Sequence, residues 1–558
     1  MNFNIKHKVL QNRLLVNISI CFFFIFLLDS CGGGDDSSGT NDSVKNSTHQ
    51  DYGNLSGKIT FEEYIPTDEG LSDEVYSKPV RYAEYELFSE EGIIIGNGNL
   101  DHDGKYSIQL NNIKHVYLKI NSDTRFSGAA NVYTVDSNDT IYSYSSPLIN
   151  TDQVNIFDMT IPIDNHGKIS GAFNILDVAS ICSEFIINKT GVTHPELRIT
   201  WELGNLYKIS LNQLVTNCSY VHGIDPPTIF LIGGRLFNGT IDLTSETAHF
   251  DDMVIAHEFG HFVQNHYSVD ASQGGAHNGN SLYPSLSFSE GFATWYAAVC
   301  LKNPNYISTI GLPPEQQLNF SNYNIENINN IPYRNYGIQS EFTVSEILWD
   351  IYDGSDDFLN DPDNDGINVN FSDIINIFLN WNIKKDYPFI ITILDGLNDE
   401  NLLTEFEIAD LLSYPTDQKI EYPYPIKWPF PMEFGLVYPT NLEPYYIGIP
   451  EAGTIESMPN LFSGSFFLNQ FWTFEIEEFN SKINITFGIE KEEFSQVITL
   501  ELYTNDNIFI SKNSCSSGNY IQIKETLQKG KYIIKIIGYI DNKEQYGNYW
   551  LNIEKIIL

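Results

Sequence analysis

The stretch DDMVIAHEFGHFVQNHY, residues 251–267, constrains this chain more than any other. Val254, Ile255, Phe262 and Val263 recur at helical spacing, so the segment predicts a buried helix. On such a helix His257 and His261 stand one turn apart, about 6 Å along the axis, with both imidazoles on one face. Burying two imidazoles and a carboxylate without partners is costly, and a metal ion supplies the missing partner. The spacing suits two corners of a tetrahedral zinc site, with Glu258 turned toward the open corner to activate a water there. The competing reading of HExxH alone is a helix whose histidines bond to neighbouring side chains. Asp251 and Asp252 stand at the helix start, where carboxylates cap free N–H groups and suit the helix dipole.

A third ligand decides between classes of such sites. The continuation HExxHxxGxxH requires glycine at 264 and histidine at 267, but the chain has Gln264 and Tyr267, and His266 is one residue out of register. A glutamate on a second helix is the alternative. Residues 286–298, LSFSEGFATWYAA, form an apolar helical pattern with one acid, Glu290, among Phe288, Phe292, Ala293 and Trp295. A carboxylate in those surroundings needs a partner unless it sits at a solvent-facing helix edge.

The run from Asp251 to Val299 resembles the secreted bacterial gluzincins, thermolysin-like zinc metallopeptidases, in the pieces HEFGHFVQNHYSVDASQGGAH and SFSEGFATWYA. SEFTVSEILWDIYDGSDD resembles the helix that follows in lipoprotein members of that clan. The resemblance implies His257, His261 and Glu290 as zinc ligands and Glu258 as catalytic base. The activity it implies is a zinc endopeptidase that hydrolyses peptide bonds in extracellular proteins or peptides, through a water polarised by zinc and activated by Glu258. Where the family often has an aspartate orienting a ligand histidine, four residues after the ligand glutamate, this chain has Thr294. That leaves the task to another group, with Asp270 and Asp350 as candidates. His277, after Gly274-Gly275, and Tyr336 are candidate transition-state donors beside Tyr333. Asp361, Asp363 and Asp365 with Gly366 match the first half of a calcium loop; Ser372 replaces its closing glutamate, and a solvated acidic turn is the simpler reading.

The expected architecture is multidomain: a central α+β zincin-like metallopeptidase domain flanked by two all-β sandwiches. Residues 1–30 read as a signal peptide, with Lys6, Lys8 and Arg13 before the apolar run Leu14–Leu28. Leu28-Asp29-Ser30-Cys31 resembles a lipobox despite Asp29, which implies lipidation of Cys31 and an anchor at the bacterial outer membrane or cell surface, extracytoplasmic. Residues 31–52 are a Gly-, Ser- and Asp-rich tether. Residues 53–162 alternate as strands, and resemble over 53–125 the prealbumin-like, carboxypeptidase-regulatory-like sandwiches; Asp101 and Asp103 could hold calcium, but a hairpin turn is the simpler reading. Residues 167–445 carry the helical patterns 251–267, 286–302, 341–353, 371–383 and 386–398, preceded by strands such as ELRITWEL. Residues 446–558 alternate again and resemble the pre-peptidase C-terminal sandwiches of secreted peptidases.

The 72 acidic against 31 basic residues, a net charge of −41, exclude nucleic acid as a partner. Cys182, Cys218, Cys300 and Cys515 are too scattered for a disulfide framework, though Cys182 and Cys218 could pair. A second function class remains open: a non-catalytic surface adhesin or binding lipoprotein that retains a peptidase-like domain. Glu258 argues against it, because binding alone does not require that residue.

Overall fold

The computed structural model describes residues 53–556 apart from internal segments, the longest being 273–283, 311–317, 329–336, 355–365, 413–429, 440–465, 490–497 and 541–548. The signal, the tether and Cys31 lie outside the described residues, as do Asp361, Asp363, Asp365, His277, Tyr333 and Tyr336. The fold is mixed α+β with β-rich parts at either end.

Alternation builds the first β part. Its strands β1 (Asn54–Thr67), β2 (Gly70–Pro79), β3 (Glu84–Ser89), β4 (Ile94–Asn99), β5 (Lys105–Gln109) and β6 (His115–Asn121) put Leu55, Ile59, Phe61, Leu87, Leu118 and Ile120 inside. Asp101 closes the turn before β5, its Oδ1 accepting from the Asp103 and Lys105 amides at 2.9 and 2.8 Å, while Asp103 pairs with Lys105. The tight turn expected there is present, but it is not a hairpin: β4 pairs with β3 and β5 with β1, in different sheets. The strand that follows, β7 (Val132–Val135), departs from expectation. One of its edges stays bonded to residues 122–124 of the first β part, and the other pairs in parallel with a strand more than sixty residues later, while β8 (Ser143–Ser145), β9 (Ile149–Asn150) and β10 (Met159–Ile161) pair within the first β part. A boundary at 162/167 therefore cuts through a sheet.

The central part opens on a helix, α1 (Lys168–Thr190), where the sequence reading expects strands first. Ile175, Leu176, Val178, Ala179, Cys182 and Ile186 bury it so broadly that no helical stripe marks it. After α1 come β11 (Leu197–Trp201), the hairpin β12 (Lys208–Ser210) and β13 (Gln213–Leu214), then β14 (Ser219–Val221) and β15 (Thr228–Leu231). With β7, the strands β11, β14 and β15 form a sheet of order β14-β15-β11-β7, parallel except for β14, and β12 and β13 pair only with each other. A second antiparallel set follows: β16 (Gly233–Phe237), β17 (Thr240–Thr247), β18 (Asn305–Ile310) and β19 (Leu318–Asn324). Between β17 and β18 the chain makes the helices α2 (Asp252–Tyr267) and α3 (Pro284–Leu301); α4 (Glu341–Tyr352), α5 (Phe371–Lys384), α6 (Ile390–Asp399) and α7 (Glu405–Leu411) come after. Stacked rings lock α3 on α5, Phe292 on Phe378 at 4.4 Å and Trp295 on Phe371 at 5.4 Å.

The last β part pairs β20 (Phe430–Pro431), β21 (Val437–Pro439), β22 (Phe466–Ile476), β23 (Ser481–Ile489), β24 (Ile498–Thr504), β25 (Phe509–Cys515), β26 (Tyr520–Leu527), β27 (Gly530–Ile540) and β28 (Tyr549–Lys555) in two sheets.

The start of α2 is tied down by ions rather than capped by its own side chains. Asp251 accepts from the Thr309 amide at 2.8 Å and hydroxyl at 2.6 Å, fastening α2 to β18. Asp252 accepts from Asn174 of α1 at 2.8 Å and from Lys78 of β2 at 3.0 Å, and Lys78 also meets the buried Glu63 at 2.9 Å. Arg81 pairs with buried Asp177 of α1, and the Tyr82 hydroxyl donates to Glu184 at 2.9 Å. Cys182 and Cys218 are not joined by a disulfide: Cys182 neighbours Cys300, and Cys218 accepts from the Ile232 amide.

Candidate metal centre

Two glycines let three helices approach closely enough to make the site. A Cβ built on Gly260 of α2 would stand 2.7 Å from the Ala293 Cα of α3 and 3.0 Å from its carbonyl oxygen. One built on Gly291 would meet the Val344 side chain at 2.6 Å and the Glu341 carbonyl at 2.7 Å, both on α4. Real Cβ contacts do not approach so near, so α2, α3 and α4 can touch backbone to backbone only with glycine at these points. The glycine inside HEFGH thus carries α2 onto α3, and Glu290 onto the two histidines.

The outcome is a convergence of three ligand atoms. His257 Nε2 lies 3.2 Å from Glu290 Oε2, His261 Nε2 is also 3.2 Å from that oxygen, and the two Nε2 atoms are 3.1 Å apart. His257 and Glu290 are buried and His261 nearly so. The group could hold a metal ion. Zinc bonds of about 2.0–2.2 Å in a tetrahedron set ligand atoms roughly 3.3–3.6 Å apart. The observed edges lie within a few tenths of an ångström of that figure, and a donor set of two imidazoles and one carboxylate suits zinc. Glu258 is buried beside them. Burial alone would lower the His261 pKa, but the charges of Glu290, Glu258 and Asp270 outweigh it and raise it to about 9. The surrounding carboxylates thus make the pocket an anionic field.

Each imidazole is also held from behind, and here the expectation is corrected. His257 Nδ1 lies 3.0 Å from the Thr294 hydroxyl, and His261 Nδ1 lies 3.2 Å from the Ser289 hydroxyl. At His257 Thr294 itself takes that place, because a hydroxyl oxygen accepts an N–H as a carboxylate does. Asp270 accepts from the Ser272 amide at 2.8 Å, and Asp350 is buried on α4. The helix α3 thus contributes Ser289, Glu290 and Thr294 to one site. Two further residues were not legible in the sequence: Tyr306 of β18 sets its ring 6.0 Å from that of His257, and Tyr323 of β19 stacks on Tyr306 at 5.1 Å. They face each other through the β18–β19 register alone.

No family model matches this chain, and no curated protein does. Among solved structures it is similar to the pre-peptidase C-terminal domain of a collagenase from Bacillus anthracis, at 17% identity over 16% of this chain and 87% of that one, with a TM-score of 0.13. It is also similar to a cycloisomaltooligosaccharide glucanotransferase from Paenibacillus, at 11% identity over 89% of this chain and 72% of that one, with a TM-score of 0.11. Likenesses this remote carry no argument about fold or chemistry.

Proposed function

We propose that the chain is a zinc metalloendopeptidase of the gluzincin type, its central part zincin-like, working outside the cytoplasm from a lipid anchor on Cys31. The observation that supports this is the meeting of His257 Nε2, His261 Nε2 and Glu290 Oε2 within 3.2 Å, with Glu258 buried alongside. A zinc ion held by those three residues supplies Lewis-acid activation of water at neutral pH. The chain's own residues do the rest. Glu258 takes the proton of the attacking water and returns it to the leaving amine. Thr294 and Ser289 keep the imidazoles aimed, and the aromatic packing of α3 on α5 keeps Glu290 in place. Proteins or peptides are the substrates.

The test is zinc content together with digestion of casein and a peptide library, for wild type and Glu258→Gln. The reading expects one zinc in both proteins and cleavage by wild type alone. Zinc in both with cleavage in neither would favour the adhesin-like alternative, and a zinc-free wild type would end the metallopeptidase reading.

A further inference from the structure

Solvent reaches the metal centre beside two tyrosines. Among the described residues there, His257, Glu258, Ser289, Glu290 and Thr294 are buried, while the His261 side chain is 14% exposed and Tyr306 and Tyr323 are half-buried. The strand β18 brings Tyr306 to this place. Thr309 pins that strand to Asp251, the residue before α2. From Asp251 to His257 the helix rises about 9 Å, and from Thr309 back to Tyr306 the strand covers about 10 Å. β18 therefore runs along the flank of α2, and the Tyr306 ring arrives level with His257, 6.0 Å from it and at 74°. Tyr323 lies against Tyr306, nearly parallel at 5.1 Å, and the Phe342 ring of α4 meets Tyr323 edge-on at 4.9 Å. The Asn324 side-chain amide donates to Asn305 Oδ1 at 2.9 Å and fixes the register that stacks the pair. Tyr306 is thus held as a rigid ring at the entrance to the site.

We propose that Tyr306, backed by Tyr323 and Phe342, is the specificity-determining wall of the metal site and selects substrates with an aromatic side chain next to the bond that is cleaved. A peptide lying across the metal puts one side chain on each side of its scissile bond, and the one on the His257 side rests against Tyr306. A fixed aromatic face favours a second flat ring, which gains offset or edge-to-face contact beyond the area it buries; an aliphatic or polar side chain gains the area alone. Because the wall is already stacked and its register fixed, it loses little freedom when a ring settles on it. This rests on the zinc peptidase reading above and narrows its substrates to peptides with Phe, Tyr or Trp at that position.

Phosphinic dipeptide analogues test the wall, because the phosphinate ligates zinc and no bond is cleaved. One carries methyl groups on both sides of phosphorus, and two others carry a benzyl group on one side or the other. In calorimetry on the zinc-loaded chain, one benzyl placement should bind about 10-fold tighter than the dimethyl compound. Tyr306→Ala should lose that gain and still bind the dimethyl compound as wild type does. Tyr306→Phe should keep the gain, since the ring and not the hydroxyl makes the wall. Tyr306→Leu, which fills the space without a flat face, should lose most of it. In a peptide library, kcat/KM should show the same aromatic preference for wild type and lose it in Tyr306→Ala. A benzyl gain on neither side, a gain that survives in Tyr306→Ala and Tyr306→Leu, or an equal loss for all three compounds in those variants would each overturn the proposal. The last of these would mark Tyr306 as a prop for His257. A wild-type chain that shows the benzyl preference yet cleaves no peptide would support the wall and overturn the peptidase reading; one that takes up no zinc would overturn both.

Discussion

Gly260→Ala puts the helix-contact argument at risk most directly. The new methyl would lie 2.7 Å from Ala293 Cα, 3.0 Å from its oxygen and 3.2 Å from its Cβ. Ordinary carbon contacts are about 3.5–4.0 Å, so α2 and α3 must part by roughly 1 Å to admit it. Such overpacking costs about 1–3 kcal/mol, and alanine's better helix propensity returns about 1 kcal/mol. The net loss, about 0–2 kcal/mol, leaves a domain of ordinary stability folded. The metal centre is far less tolerant. Metal–ligand distances hold to about ±0.2 Å, so a 1 Å retreat of Glu290 from the histidines removes it as a ligand. Zinc affinity should fall at least about 100-fold, beyond the usual cost of a lost supporting partner. Urea unfolding of the zinc-free proteins and chelator competition separate the two effects. Ala293→Gly should not rescue the variant, because the two nearest atoms belong to the α3 backbone. Gly260→Ala binding zinc as wild type does, or full rescue by Ala293→Gly, would refute the reasoning.

Other expectations concern the fold and its response to pH and metal. Burial first, then the neighbouring Asp252, raises the Glu63 carboxyl from 4.5 to about 7 against the pull of Lys78. A raised acid keeps its proton longer in the folded state, so its contribution to stability is complete below 4.5 and is lost as the pH climbs through about 7. Glu63→Gln should flatten that dependence by up to about 3 kcal/mol, read from urea midpoints at pH 4.5 and pH 8. Arg81→Met leaves Asp177 buried without its cation and should cost about 3–5 kcal/mol; adding Asp177→Asn should recover part of it, as thermal unfolding will show. Zinc at a hundred times its dissociation constant should stabilise wild type by about 2.7 kcal/mol and His261→Ala by far less, a difference visible in the melting temperatures.

The features legible in the sequence were those that local pattern dictates. The strands β1, β3, β5, β6 and β24 bury alternate residues, and α2 through α6 begin and end within a few residues of their apolar periodicity. Glu290 stood out as the one acid in an apolar helix, and the structure brings it to both histidines. What escaped was set by distance along the chain or by chemistry without a distinctive letter. The helix α1 is buried on nearly every side and so lacks a stripe. The pairing of β7 with β11 depends on tertiary closure, and nothing in VYTV declares it. Thr294 and Ser289 look like ordinary small residues of a buried helix until an imidazole nitrogen is found beside each. Asp251 looked like a helix cap, yet its carboxylate goes to Thr309, since a strand amide and hydroxyl together offer two donors.

The excursion of β7 into the central sheet changes what it means to cut this molecule. Val132–Val135 are made before α1 and β11, and in the meantime the edge they turn to β11 has no mate, while the other is bonded to residues 122–124. Closing that gap brings together residues more than sixty positions apart, the kind of contact that slows folding and leaves an edge exposed until it closes. It also means that a truncation beginning at residue 167 deletes an edge strand of the sheet next to α1, and that the first β part, expressed alone, carries β7 without its β11 partner. A proteolytic cut between the two parts would leave them joined by that ladder and by the Lys78–Asp252 and Arg81–Asp177 pairs. The first β part is therefore poorly suited to be a detachable leader.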